Sequence, residues 1–164
     1  MNHWVIAGAS GVIGRHLRHI LHDRGGRTTL LSYGGVSDTR GGEQVVRWNP
    51  REILDGKEGA LKPVRDALES ADVIVNLAGS SLADGRLGVA HREWVLGSRL
   101  LATQCLVGAY TACQNPPKRW LQASAVGYYG DCGAEKVTED SPLGSMFLSE
   151  VCDLWEDAAE PARQ

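Results

Sequence analysis

Residues 5–14 run Val5-Ile6-Ala7-Gly8-Ala9-Ser10-Gly11-Val12-Ile13-Gly14. Trp4 to Ala7 is an apolar run of strand length, and Val12 to Leu21 places apolar residues at helical spacing. Three glycines spaced GxxGxxG join the two segments. A glycine pattern between a strand and a helix becomes a binding hypothesis. Gly8 makes the tight turn, Gly11 lets backbone approach a pyrophosphate, and Gly14 lets the helix close on the strand. N–H groups at the helix start lack intrahelical partners and suit an anion. Ser10, Val12 and Ile13 complete that loop. A plain glycine-rich turn is the competing reading of the same residues.

Gly25 and Gly26 stop the first helix. Thr28 to Leu31 reads as a second strand, and Val45, Val46 and Trp48 as a third ended by Asn49-Pro50. Residues 60–69 suit a helix, with Pro63 in its first turn or delaying its start. Strand, helix and strand follow over 72–77, 91–112 and 120–125, and a last helix over 146–159. Short apolar strands alternate with helices, and no Asn-Gly hairpin signal separates them. The expected fold is α/β, a Rossmann-like doubly wound parallel sheet. The glycines at 34, 35, 41 and 42 mark 32–44 as a loop, and 127–144 reads as another.

Composition narrows the function classes. The 164 residues carry a net charge of −3, with 43% hydrophobic and 23% charged residues, the balance of a folded domain. The slight acidic excess offers nothing to nucleic acid or anionic membrane, and no stretch reaches the ~20 apolar residues of a bilayer span. Cys105, Cys113, Cys132 and Cys152 form no CxxC pair, so zinc and dithiol redox chemistry lack their signature. Free thiols and the absence of a signal-peptide pattern point to the cytoplasm or another reducing soluble compartment. His16, His19 and His22 share one helix without a completing carboxylate, so no metal site is expected.

The second strand ends Leu31-Ser32-Tyr33, with no acid until Asp38. An NAD site usually carries an acid here for the ribose 2′-hydroxyl, so the sequence leans toward NADP while leaving NAD open. Ser32 and Arg40 are candidates for the 2′-phosphate; Arg40 reads equally as a solvated loop charge. Asn76-Leu77-Ala78-Gly79 follows a strand and belongs at the carboxyl edge of the sheet, where ligands cross. Ser124, after the next strand, either polarises a substrate carbonyl or caps a turn.

These segments resemble the extended short-chain dehydrogenase/reductase superfamily, in particular its atypical NAD(P)-dependent epimerase/dehydratase-like, sugar-nucleotide-epimerase-like branch. The matches are VIAGASGVIG at 5–14, Trp48, DVIVNLAG at 72–79, GSRLLATQ at 97–104, SAVGYYG at 124–130, TEDSP at 138–142 and Leu154-Trp155-Glu156. The resemblance implies a dinucleotide on Gly8, Gly11 and Gly14, with contacts from Trp48, Leu77, Ala78, Gly79 and Ser124. It implies hydride transfer at a carbonyl or alcohol carbon, with a small carbonyl, alcohol or sugar nucleotide as substrate.

It also implies a Tyr-x-x-x-Lys pair on the last helix, where this chain offers Phe147 and Val151 or Leu148 and Cys152. Ser124 matches the first catalytic member, and Tyr128 or Tyr129, near the expected ligand edge, is expected mainly to shape the pocket, with direct catalysis as the alternative. Without the pair, a non-catalytic dinucleotide-binding role competes with the enzymatic one. Relatives are nearly twice as long, so residues 1–164 read as the amino-terminal NAD(P)-binding domain, truncated before the last strands and the substrate-closing region. The sheet edge left exposed makes self-association plausible.

Overall fold

The computed structural model describes residues 2–33, 42–163 and the backbone of 38–40. Strand β1 (His3–Ala7) leads through the glycine turn into α1 (Val12–Asp23), then β2 (Arg27–Tyr33). Strands β3 (Asp38–Arg40) and β4 (Glu43–Trp48) precede the short helices α2 (Pro50–Leu54) and α3 (Lys62–Leu68). Strand β5 (Val73–Asn76), the long helix α4 (Val89–Thr111), β6 (Arg119–Gln122) and α5 (Phe147–Asp157) complete the regular elements. The sheet runs β3-β4-β2-β1-β5-β6. All its pairings are parallel except β3–β4.

Alternation along the strands divides the core between two faces. Ile6, Leu30, Val73 and Val75 point one way and meet Leu17 and Leu21 of α1. Val5, Ala7, Leu31 and Ile74 point the other way and meet Val64 and Leu68 of α3 and Ala102, Leu106 and Ala109 of α4. That two-faced covering is the doubly wound arrangement expected from the alternating pattern.

Two elements depart from the sequence reading. The segment read as a loop over 32–44 contains β3, and β3 pairs antiparallel with β4 as Asp38↔Val45 and Arg40↔Glu43. A hairpin therefore closes one edge of the otherwise parallel sheet. Its turn uses Gly42 at φ 83° instead of an Asn-Gly pair, a conformation that glycine accepts. Asn49-Pro50, read as a strand stop, also starts α2. Asn49 Oδ1 accepts the N–H groups of Arg51 at 3.1 Å and Glu52 at 3.4 Å, and Pro50 occupies the first turn.

Chain order reverses between β2 and β5, which flank β1. Leu31, Ala7, Asn76 and Gln122 form one register row across the sheet. The segments that follow Ala7, Asn76 and Gln122 thus leave from neighbouring points at the carboxyl edge, where open α/β sheets form ligand crevices.

Candidate functional site

Gly8 sits at φ 81°, and a Cβ there would lie 2.4 Å from the Leu77 carbonyl oxygen and 2.9 Å from Ala78 N. The loops after β1 and β5 therefore touch backbone to backbone. A Cβ on Gly14 would lie 2.5 Å from Gly8 O and 2.7 Å from Ala9 Cα, so α1 is held against the turn. Gly11 differs: its added Cβ would meet only Gly8 O, at 3.3 Å.

Gly11 caps α1 with extended backbone, no side chain caps the helix, and no acid lies in its first turn. The first i→i−4 bond belongs to Arg15 N, on Gly11 O at 2.9 Å. The N–H groups of Val12, Ile13 and Gly14 precede it and have no intrahelical acceptor. Val12 and Ile13 are 78% and 67% exposed, and Ser10 is exposed beside them. Arg15 Nη1 donates to Ser10 O at 2.6 Å and adds a positive charge to the loop. An open backbone at Gly11 and uncapped donors make a cradle that fits a dinucleotide pyrophosphate.

The β5 loop is fixed from below. Asn76 is fully buried; its Nδ2 donates to Thr103 Oγ1 at 2.9 Å and Gln122 Oε1 at 3.0 Å, while Oδ1 accepts Ala78 N at 3.2 Å. Trp155 Nε1 also donates to Thr103 Oγ1, at 3.0 Å. One polar network thus ties β5, β6, α4 and α5 to the main chain at Ala78. Ser80 is held from α4: its N–H donates to Ser98 Oγ at 3.0 Å and its carbonyl accepts Arg99 Nη1 at 3.2 Å.

Ser124 lies two residues beyond β6, and its hydroxyl donates to the carboxylate of Glu156 on α5. Trp120, Gln122, Ser124 and Glu156 line an open cleft of about 460 Å³ along the outer edge of β6. Tyr128 lies in a single 3-10 turn over Val126–Tyr129 and meets Tyr129 edge to face, ring centroids 5.3 Å apart. The start of α5 braces this turn. Ser149 Oγ donates to Gly127 O at 2.9 Å, and the Cys152 thiol donates to Ala125 O at 3.6 Å. Val151 and Cys152 are each 3% exposed, and burial pushes the Cys152 thiol pKa up, away from thiolate chemistry. The helix positions that resemble the Tyr and Lys sites are therefore occupied by packing residues.

The remaining candidates spread along the same edge. Ser32 is half-buried near the end of β2. Trp48 pairs opposite Tyr33 but is only 4% exposed, as part of the core. Ala78 is buried with that core, Leu77 packs against the opposite one, and Gly79 faces Arg99. Arg40 ends β3, and its side chain lies outside the described residues. The sequence reading missed Thr103 and Ser98 as loop anchors, and Glu156 as the partner of Ser124. The motifs GSRLLATQ and Leu154-Trp155-Glu156 contained them without revealing whom they touch. No group of three or more metal-ligating side chains occurs among the described residues, and no described helix is long and apolar enough to cross a membrane.

The profile of the NAD dependent epimerase/dehydratase family matches residues 4–148. Epimerase family protein SDR39U1 of Homo sapiens is 32% identical over 158 residues, 94% of this chain and 48% of that protein. Epimerase family protein MT2273 of Mycobacterium tuberculosis is 33% identical over 159 residues, 97% of this chain and 48% of its own. The chain thus spans about half the length of these curated relatives. Among solved structures, human SDR39U1 (isoform 2) with NADPH superposes with a TM-score of 0.75 at 32% identity, covering 96% of this chain and 48% of that one. The nucleoside-diphosphate sugar epimerase of Corynebacterium glutamicum gives 0.72 at 33% identity, covering 98% and 31%. With the glycine turn, sheet order and profile in agreement, the chain belongs to the NAD dependent epimerase/dehydratase family.

Proposed function

We propose that residues 1–164 form the dinucleotide-binding unit of an NAD(P)-dependent oxidoreductase or epimerase, with substrate closure assigned to a carboxyl-terminal region outside them. The observation that carries this reading is the open Gly11 backbone beside the uncapped start of α1. The N–H groups of Val12, Ile13 and Gly14 take the pyrophosphate, helped by the macrodipole. Exposed Val12 and Ile13 offer apolar contact, and the loop Leu77-Ala78-Gly79 passes close to the ligand because small residues leave its backbone bare. NADP(H) is preferred over NAD(H), since β2 ends at Ser32-Tyr33 without an acid for the 2′-hydroxyl. The NADPH carried by human SDR39U1 supports that preference.

Bound nicotinamide supplies hydride chemistry at a carbonyl or alcohol carbon of a small carbonyl compound, alcohol or sugar nucleotide. This chain's own part is to hold the ligand and orient a hydroxyl. Ser124 sits at the crevice edge with its hydroxyl donating to Glu156, so its oxygen accepts from a substrate hydroxyl, and donating to a carbonyl requires the O–H to turn away from Glu156. Tyr128 shapes the same region. Self-association through the outer edge of β6, where Leu121 is 47% exposed, belongs to the same reading and is checked by light scattering.

A non-catalytic, dinucleotide-responsive protein is the second reading. It is favoured by the packing residues Phe147, Leu148, Val151 and Cys152 where the superfamily's proton-transfer pair is expected. Calorimetric titration tests the common core of both readings: saturable NADPH binding, tighter than NADH, is expected, and no binding of either refutes it. Nicotinamide absorbance over a panel of aldehydes, ketones and sugar nucleotides then separates the two, with turnover lost in Ser124→Ala supporting the enzyme.

A further inference from the structure

Arg99 stands apart from the other polar groups of the crevice. It projects from α4 and is half-buried between the bare backbone of Gly79 and the ring of Trp155. A Cβ on Gly79 would lie 3.0 Å from its Cγ and 3.1 Å from its Cζ, and Cζ sits 5.0 Å from the Trp155 ring centroid. Nη1 donates to Val95 O at 2.8 Å and to Ser80 O at 3.2 Å. Among the described residues no carboxylate pairs with it, and neither Nε nor Nη2 has a hydrogen-bond partner. Carbonyls and a ring face solvate a guanidinium but leave its whole charge standing. Half-buried charges are ordinarily matched by an opposite one. Burial lowers the Arg99 pKa from its usual value, yet arginine stays protonated at neutral pH.

We propose that Arg99 is an anion receptor of the crevice, taking a phosphate group of the bound ligand on Nε and Nη2. The geometry suits this role because Val95, Ser80, Gly79 and Trp155 fix the guanidinium plane before any ligand arrives, and two adjacent edge donors match two phosphate oxygens. The cation absent from α5 is thereby supplied by α4, across the Trp155 ring. This inference rests on the dinucleotide reading above. The phosphate belongs either to the coenzyme or to a second, substrate-borne group, and two titrations distinguish the sources.

The wild type, Arg99→Gln and Arg99→Lys are compared after circular dichroism has shown native folding. Gln keeps an N–H for the Ser80 and Val95 carbonyls but no charge, whereas Lys keeps the charge without the planar fork. One arm titrates each protein with NADPH by calorimetry. The other adds inorganic pyrophosphate, with and without saturating NADPH at constant ionic strength, and reads tryptophan fluorescence. Arg99→Gln is expected to weaken at least one arm by tenfold or more, and Arg99→Lys by about threefold. Loss on the NADPH arm assigns the phosphate to the coenzyme, and loss on the pyrophosphate arm alone assigns it to a second ligand.

Wild-type affinity of Arg99→Gln on both arms overturns the inference while leaving the dinucleotide reading intact. A wild type that binds pyrophosphate through Arg99 but not NADPH refutes the dinucleotide reading and retains the receptor. Binding of neither overturns both. Should Arg99→Gln fail to fold, unchanged affinities in Arg99→Lys overturn the receptor.

Discussion

Alanine at Gly14 and alanine at Gly11 separate what the glycine turn does for the fold from what it does for a ligand. At Gly14 the helical backbone tolerates alanine, so the effect is steric. The new methyl would approach Gly8 O to 2.5 Å and Ala9 Cα to 2.7 Å, both main-chain atoms that cannot rotate away. Reaching ordinary contact requires α1 to retreat by roughly 0.9 Å, which opens the packing of Leu17 and Leu21 on Ile6 and Leu30. Overpacking of this kind costs about 1–3 kcal/mol. In a domain of this size each kcal/mol lowers Tm by about 2–4 °C. A fall on the order of 5 °C is therefore expected for Gly14→Ala by differential scanning calorimetry.

At Gly11 the backbone is extended, φ −68° and ψ 174°, and only Gly8 O stands near an added Cβ. The loss of a good N-cap residue and the stiffening of the unfolded chain largely offset each other, leaving Tm within about 2 °C. The methyl nevertheless stands where the pyrophosphate would rest. NADPH affinity should fall at least tenfold, about 1.4 kcal/mol. Gly11→Ala binding NADPH as well as the wild type, or Gly14→Ala melting with the wild type, refutes this division of roles.

Two further outcomes follow from the buried polar groups. Asn76→Leu leaves Ala78 N, Thr103 Oγ1 and Gln122 Oε1 short of a partner, so urea unfolding should show a loss of roughly 3 kcal/mol or more; a loss below 1 kcal/mol would show the network to be dispensable. His3 has its pKa held below 6.5 by burial first and by Arg27 second, outweighing Asp72. The unfolded chain therefore takes up this proton first, and the stability present above pH 6.5 is lost as the pH falls through the depressed value. Tm should drop more between pH 7.5 and 5 in the wild type than in His3→Gln, and equal drops would remove His3 as the cause.

What the sequence revealed was local in origin. The β1–glycine–α1 unit is written within a dozen residues, and the long stripe over 91–112 needed only its own periodicity to predict α4 at Val89–Thr111. Strand β3 escaped notice because Asp38-Thr39-Arg40 carries no apolar alternation and exists through pairing with β4. Helix α2 escaped because five residues are too few to show a period, and its signals, Asn49 as cap and Pro50 after it, also end strands. Site residues follow the same division. As candidates, Gly8, Gly11 and Gly14 stand out by their spacing, and Ser124 by its place after a strand. The Ser124–Glu156 bond spans 32 positions and the Asn76–Thr103 bond 27, so both depend on how α4 and α5 dock.

That docking gives α5 a different part from the one its superfamily resemblance implies. Its first half carries neither a tyrosine nor a lysine and grips the turn after Ser124, through Leu148 on Gly127, Ser149 on the Gly127 carbonyl and Cys152 on Ala125. Its second half presents Trp155 to Thr103 and Arg99, and Glu156 to Ser124. The helix thus positions polar groups that other elements bring to the crevice: a hydroxyl from the end of β6 and a cation from α4. The hydroxyl of Ser124 is held in the orientation that Glu156 allows. The polar groups Ser124 and Arg99 therefore come from the end of β6 and from α4, and their placement depends on the packing of α5.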